Sequence, residues 1–272
     1  MSIDWQKVLT ETIAVVKKVG AFQMEHFRSM PAGSDNNKAV REMVSFVDVE
    51  SEKMLKEVLD PLIPDAGFYG EETGKEGNQD FTWIVDPLDG TTNFLSGLEQ
   101  FAVSVAFVDK GETVLGVVYR PPSDDLYSAI KGQGFYYNGD KMPQVSSSVS
   151  HQDALYVTGF PYRSPDIFDA FFKCAGEVLL AGRGLRRMGC AALDLCHVSA
   201  GWQQGYWESD LQPYDIAAGV LFLKESGCKV TNELGGEYDL FKDRMMVAAL
   251  PGVYDELLNI VYKNYGELPK QS

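Results

Sequence analysis

"WIVDPLDGTTNF", residues 83–94, is an apolar run that meets a proline and then presents two aspartates three positions apart, followed by Gly90, Thr91 and Thr92. Its first residues read as the end of a short strand, Phe81 to Val85. Pro87 fixes φ just beyond that strand, so Asp86 and Asp89 turn toward one point. Two carboxylates about 5 Å apart, in an effective dielectric of about 20, repel by roughly 3 kcal/mol. They either stand apart in solvent or hold something positive between them. The Leu88 carbonyl, exposed in such a turn, offers a further oxygen, and Gly90 permits positive φ or close backbone approach. Thr91 and Thr92 open a helix whose free N–H groups suit an anion. A phosphate bridged by divalent metals needs this combination, and hard oxygen ligands favour Mg²⁺. Taken alone, D-x-x-D-G-T is more often a turn with solvated aspartates, so the rest of the chain has to decide.

The chain has 272 residues, 45% of them hydrophobic, enough for a large core. A net charge of −15 argues against a basic face for nucleic acid and accords with solubility or with gathering divalent cations. Cys174, Cys190, Cys196 and Cys228 form no CxxC pair and read as reduced, mostly buried thiols. Ile13 to Val16 is too short for a signal-peptide core and ends in Lys17 and Lys18. Ile216 to Leu223, the longest apolar run, is far too short to span a bilayer. The expectation is a soluble cytoplasmic protein with no membrane association.

Outward from the opening stretch, helical spacing predicts helices over Trp5 to Val19 and roughly Ser45 to Leu59, the second stopping before Pro61. A polar loop, Pro31 to Asn37, separates them. "GFYGEETGKEGNQD" reads as turn-rich, with adjacent Glu71 and Glu72. Beyond Phe94, alternating segments punctuated by Lys110-Gly111, Pro121-Pro122-Ser123 and Asn138-Gly139 predict an antiparallel meander. The second half predicts strands near "LYVTGF", "GYWES" and "CKVTN". Helices are expected over Phe168 to Leu180, Ala191 to Ala200, Pro213 to Ser226 and Val253 to Tyr265. No repeat or linker divides residues 1–272, which predicts stacked helix and sheet layers closed into one unit.

Rival motifs fail. An aspartyl-phosphate D-x-D-x-T needs its acids two apart, and an EF-hand needs a third acid and a distal Glu. Walker A, HExxH and GxSxG sequences are absent. Three further stretches support the opening one: "FYGEE" (68–72), "RRMGCAALDL" (186–195) and "QPYDIAAG" (212–219). With them the whole chain resembles the inositol monophosphatase family, the Mg²⁺-dependent, lithium-sensitive phosphatases. "TGFPYR", "LRRMG" and "GYWESDLQPYDIAAG" bring it nearest the bacterial branch.

That resemblance implies the α/β-layered αβαβα sandwich of the sugar-phosphatase superfamily and a homodimer. It implies two to three Mg²⁺ held by Glu71, Asp86, the Leu88 carbonyl, Asp89 and Asp215. By the same resemblance Asp48 and Thr91, with Glu71, orient and deprotonate the attacking water, without a phospho-enzyme. Leu88, Asp89, and the Gly90 and Thr91 amides would meet the phosphate. Gly189, Cys190, Ala191, Glu208 and Asp215 would face a hydroxyl-bearing ring. The implied activity is hydrolysis of a small phosphate monoester, with myo-inositol 1-phosphate the leading substrate. Fructose 1,6-bisphosphate, 3′-phosphoadenosine 5′-phosphate, histidinol phosphate and NADP are the alternatives, as is a bacterial-type role in binding the transcription machinery.

The chain departs from the family pattern at several positions. Lys38 and Glu42 stand where K-x-x-x-D is usual, Ser45 replaces a threonine and Tyr214 a tryptophan. Cys190 replaces a serine or threonine, which removes a hydroxyl but leaves the backbone N–H. Blander roles are expected elsewhere: Arg186 and Arg187 could meet a phosphate but are expected rather in local ion pairs or a subunit interface, and His26, His151 and His197 in surface or packing positions. Lys224 and Glu225 read as a solvated helix face, and Glu72 as exposed or as a support for Glu71.

Overall fold

The computed structural model describes residues 3–29 and 37–269, with backbone alone for 37–45. The readings at Lys38, Glu42 and Ser45, and the loop from Pro31 to residue 36, lie outside the described residues.

Two sheets organise the chain. The first contains β1 (Gly67–Gly70), β2 (Gly74–Glu76), β3 (Phe81–Asp89), β4 (Ala102–Asp109), β5 (Glu112–Arg120), β6 (Asp125–Ile130), β7 (Gly134–Tyr137) and β8 (Asp140–Lys141). Their order is β2-β1-β3-β4-β5-β6-β7-β8. The second contains β9 (Leu155–Thr158), β10 (Gly184–Arg186), β11 (Gly205–Ser209), β12 (Lys229–Thr231) and β13 (Met245–Ala249), in the order β10-β9-β11-β13-β12. The helices are α1 (Trp5–His26), α2 (Asn37–Leu62), α3 (Thr91–Leu95), α4 (Phe168–Ala181), α5 (Ala191–Ser199), α6 (Pro213–Ser226) and α7 (Pro251–Tyr265).

Strand alternation explains the layering, because successive side chains point to opposite faces. Trp83 and Val85 enter a core with Val16 of α1 and Leu55 of α2, whereas Ile84 enters a different core with Leu193 of α5 and Phe222 of α6. On β13, Met246 and Ala248 share that middle core, while Met245 and Val247 pack with Phe171 of α4 and Leu257 of α7. The result is the αβαβα order expected, with α5 and α6 between the sheets.

The meander is as predicted: β3 to β8 pair antiparallel in sequence order. Asn138 and Gly139 take φ of 49° and 86°, the positive pair that a tight two-residue hairpin demands. Other expectations need correction. α1 runs on to His26, since Gly20 lets Tyr119 pack on the helix, and a Cβ there would stand 2.5 Å from the ring. α2 starts well before Ser45 and takes in Pro61, which in the last turn forfeits one backbone hydrogen bond without ending the helix. The turn-rich stretch contains β1, parallel to β3. Its glycines hide it from propensity, yet a Cβ at Gly67 would collide with the Asn78 backbone. β13 went unread because a strand buried throughout shows no alternation.

His197 packs against Trp202, with ring centroids 5.5 Å apart, as a core histidine. Burial, with a smaller push from Arg120, lowers its pKa from 6.5 to about 4. Between those values the unfolded chain takes up a proton that the folded chain refuses, so this histidine costs stability as pH falls through the window. Chemical denaturation at pH 7 and pH 4.5 should show His197→Asn escaping about 2–3 kcal/mol of the acid loss suffered by the parent. Identical losses in both proteins would show that the ring is not held neutral.

Candidate active site

At the C-terminal end of β3 the register against β4 shifts between Asp86 and Asp89, a bulge that takes up Pro87 and Leu88. The strand therefore continues through the proline to Asp89 and does not stop at Val85. Asp86 Oδ1 accepts the Leu88 N–H at 2.9 Å, and the Pro87 carbonyl accepts from Gln23 Nε2 at 2.7 Å. The Leu88 carbonyl accepts the Thr91 hydroxyl at 3.0 Å, and Leu88 is wholly buried, not exposed as the turn reading had it. Gly90 caps α3 with φ of 91°, and a Cβ there would lie 2.6 Å from the Gln100 carbonyl. No other residue fits this corner.

Distant segments bring the remaining groups. Asp89 Oδ2 accepts the Ala192 N–H at 2.7 Å and the Cys190 thiol at 3.1 Å, docking β3 on the first turn of α5. Cys190 thus spends its side chain on Asp89. Asp215, three residues past the α6 N-cap, accepts the Gln212 N–H at 2.7 Å in a reciprocal capping box. Glu208 on β11 accepts the Tyr206 hydroxyl at 2.6 Å, and Gly159 leaves the room its carboxylate fills. Glu71 follows β1, where its own N–H donates to the Val85 carbonyl at 3.2 Å.

Three supporting residues were missed from sequence. Buried Glu52 accepts the Glu72 and Thr73 N–H groups at 2.9 and 2.8 Å, together with the Thr73 hydroxyl, and so fixes the loop carrying Glu71. Asn93 Nδ2 donates to the Gln100, Met188 and Gly189 carbonyls, tying α3 to the turn before α5. Gln23 anchors the bulge from α1. The only signal was a polar residue at an apolar helix position (Gln23, Glu52) or inside a motif (Asn93).

A cavity opens between these elements, lined in part by Asp89, Gly189, Cys190, Ala191, Glu208 and Asp215. Asp48, Glu71, Asp86, Leu88, Gly90 and Thr91 do not line it. Asp48, Glu71 and Asp86 are nevertheless near enough to interact electrostatically with the lining acids or with one another. Asp48 and Thr91 share no hydrogen bond: Thr91 is committed to Leu88, and Asp48 Oδ1 is buried without a partner.

The acids press on one another. Burial, then Asp215, pushes Asp89 up to about 8, against the Cys190 and Ala192 donors. Burial, then Asp215 and Glu72, raises Glu71 to about 7. Burial raises Asp215 to about 6, opposed by the Gln212 N–H and Arg163, and it lifts Glu208 to about 7. Burial, followed by Glu72 and Glu71, takes Asp48 to about 8, while burial and Asp89 hold Asp86 well above the carboxylate range. Such mutual elevation marks a place where a cation is favoured.

The donors are all hard oxygens, which suits Mg²⁺. Among the described residues no three acidic, histidine or cysteine side chains already converge on one ion position. Asp86, Asp89 and Asp215 each turn one oxygen to a protein donor. The backbone gathers the ligands, and closing them on an ion requires side-chain rotation.

A five-layer α/β sandwich carries an acid-walled cavity, and the family that the chain matches makes it a hydrolase of the phosphatase class. The family model "Inositol monophosphatase family" matches residues 4–266. A protein of Neisseria meningitidis serogroup B named "Putative Nus factor SuhB" is 36% identical over 93% of this chain and 97% of its own. An Aquifex aeolicus protein named "Fructose-1,6-bisphosphatase/inositol-1-monophosphatase" is 37% identical over 90% and 91%. The inositol monophosphatase structure from Anabaena superposes with a TM-score of 0.85 at 30% identity, over 96% of this chain and 97% of that one. The chain belongs to the inositol monophosphatase family.

Proposed function

We propose that residues 1–272 form one phosphatase unit that hydrolyses a small polyol phosphate, with myo-inositol 1-phosphate the leading substrate, using Mg²⁺ and water without a phospho-enzyme. The observation that carries this reading is the series of acids from α2, the β1 loop, β3 and α6 whose pKa values burial and neighbouring acids raise, with Asp89 and Asp215 lining the cavity and Asp48 and Glu71 outside its lining. Glu71, Asp86, the Leu88 carbonyl, Asp89 and Asp215 would hold two to three ions. Bound there, Mg²⁺ supplies charge neutralisation at phosphate oxygens and a lowered pKa for water. Asp48, buried with an unpartnered oxygen, would take the proton of the attacking water, and Thr91, hydrogen-bonded to the Leu88 carbonyl, would orient that ligand. The Gly90 and Thr91 amides, outside the cavity lining, would hold the phosphate, while Gly189, Cys190, Ala191 and Glu208, which line it, would receive the leaving alcohol.

Phosphate release from a panel of monoesters, with and without Mg²⁺ and with millimolar Li⁺, tests the reading. Mg²⁺-dependent, Li⁺-inhibited turnover fastest with inositol 1-phosphate is expected. Fastest turnover of fructose 1,6-bisphosphate would instead align the chain with the activity in the Aquifex relative's name. A second reading, binding to the transcription machinery alongside catalysis, rests on the Nus-factor name of the Neisseria relative. A cytoplasmic location accords with both readings. A homodimer is also inferred, and α4 leaves Phe168, Phe172, Leu179 and Leu180 between 49% and 89% exposed for such a contact.

A further inference from the structure

Asp194 has no assigned part in the site above, yet it sits in the first turn of α5 and lines the same cavity as Asp89, Glu208 and Asp215. It is 2% exposed, and its Oδ1 is buried with no hydrogen-bond partner. Leaving a buried polar atom unpaired costs about 1–3 kcal/mol, more for a charge. The groups facing it offer no relief. Glu208 and Asp89 are like-charged, and the Arg187 guanidinium, the one cation that acts on it, stays beyond ion-pair range and lies over the Phe160 and Tyr162 rings at 5.4 and 5.3 Å. A carboxyl kept unpaired at a cavity wall, beside an arginine propped on aromatic faces, is built for an incoming partner.

We propose that Asp194 is a specificity-determining residue that hydrogen-bonds a hydroxyl of the substrate's leaving alcohol, with Arg187 bordering the same subsite. This inference rests on the phosphatase reading and narrows its substrate to a hydroxyl-bearing ring. The wall is suited to such a ring. A carboxyl at the cavity wall with an oxygen that no protein donor satisfies can accept a hydrogen bond from a ring hydroxyl. Asp194 belongs to the leaving-group side of the cavity and takes no part in bond cleavage at phosphorus. Its removal should therefore act on binding of the alcohol and leave the chemistry at phosphate alone.

The test compares inositol 1-phosphate with p-nitrophenyl phosphate, whose leaving group has no aliphatic hydroxyl, in the parent, Asp194→Ala and Asp194→Asn, all with Mg²⁺. Asp194→Ala should raise KM for inositol 1-phosphate at least about tenfold, the loss expected for one buried hydrogen bond to substrate. Its kcat, and both constants for p-nitrophenyl phosphate, should stay within about twofold. Asp194→Asn, which keeps an acceptor oxygen and the shape of the side chain, should recover most of the KM. Thermal melts without substrate should show Asp194→Ala as stable as the parent or more so, because a group with no partner is removed. Equal losses on both esters, or a markedly lower melting point, would show a structural role and overturn the proposal, as would an unchanged KM. If the parent releases no Mg²⁺-dependent phosphate from either ester, it is the phosphatase reading that fails.

Discussion

Replacing Asp89 with Asn is expected to cut Mg²⁺-dependent phosphate release by more than about 100-fold, beyond the loss typical when a mere supporting partner of a ligand is removed. The same change should leave the fold intact. Asp89 ends β3, where its Oδ2 accepts the Ala192 N–H and the Cys190 thiol, and an amide oxygen can keep both contacts. What disappears is a charge that Asp215 opposes at close quarters. Without metal the variant should melt no lower than the parent, and the stabilisation by Mg²⁺ should shrink. Undiminished turnover would remove Asp89 from the ligand set.

The second large effect is a metal-linked reversal of pH stability. Asp215, Glu71, Asp89 and Asp48 all have folded pKa values raised above those of the unfolded chain, to between about 6 and about 8. As pH rises past about 4 the unfolded chain releases these protons while the folded chain retains them, so the metal-free protein loses stability up to about pH 8. For Asp215 alone, moving from 3.8 to about 6, the cost is about 3 kcal/mol at 1.36 kcal/mol per pH unit. Mg²⁺ held by the ionised acids, as proposed, would offset this cost. The rise in melting temperature on adding Mg²⁺ should be larger at pH 8 than at pH 5, by about 5–10 °C for a chain of this size. An equal rise at both values would mean that the ion binds somewhere other than among these acids.

Much of this was legible in the sequence because local chemistry leaves local marks. The positive φ at Gly90 and the start of α6 at Pro213 are carried by neighbouring residues, whereas the bulge at Pro87 to Asp89 looked like the end of the strand. The meander was legible through the turn pairs that punctuate it, Lys110-Gly111 and Asn138-Gly139, even though β4 is buried almost throughout. β1 and β13 left weaker marks. One is built around glycines whose reason is a clash with another segment, and the other is buried throughout. Gln23, Glu52 and Asn93 were silent because their partners lie in other segments or hide inside a motif. Cys190 read as a lost hydroxyl, and only its contact with Asp89 shows where the thiol points.

The sequence by itself determined which acids are available, that Gly90 must turn, and most of the helices and the meander, since helix period and turn chemistry act over a few residues. Only the tertiary structure decided that Asp215, far along the chain, opposes both Glu71 and Asp89, that Asp89 and Asp215 share one cavity, and that Asp194 stands at its wall with an unpartnered oxygen. The physical reason is that burial and charge repulsion depend on distance in space, which α5 and α6, wedged between two sheets, set and chain order does not.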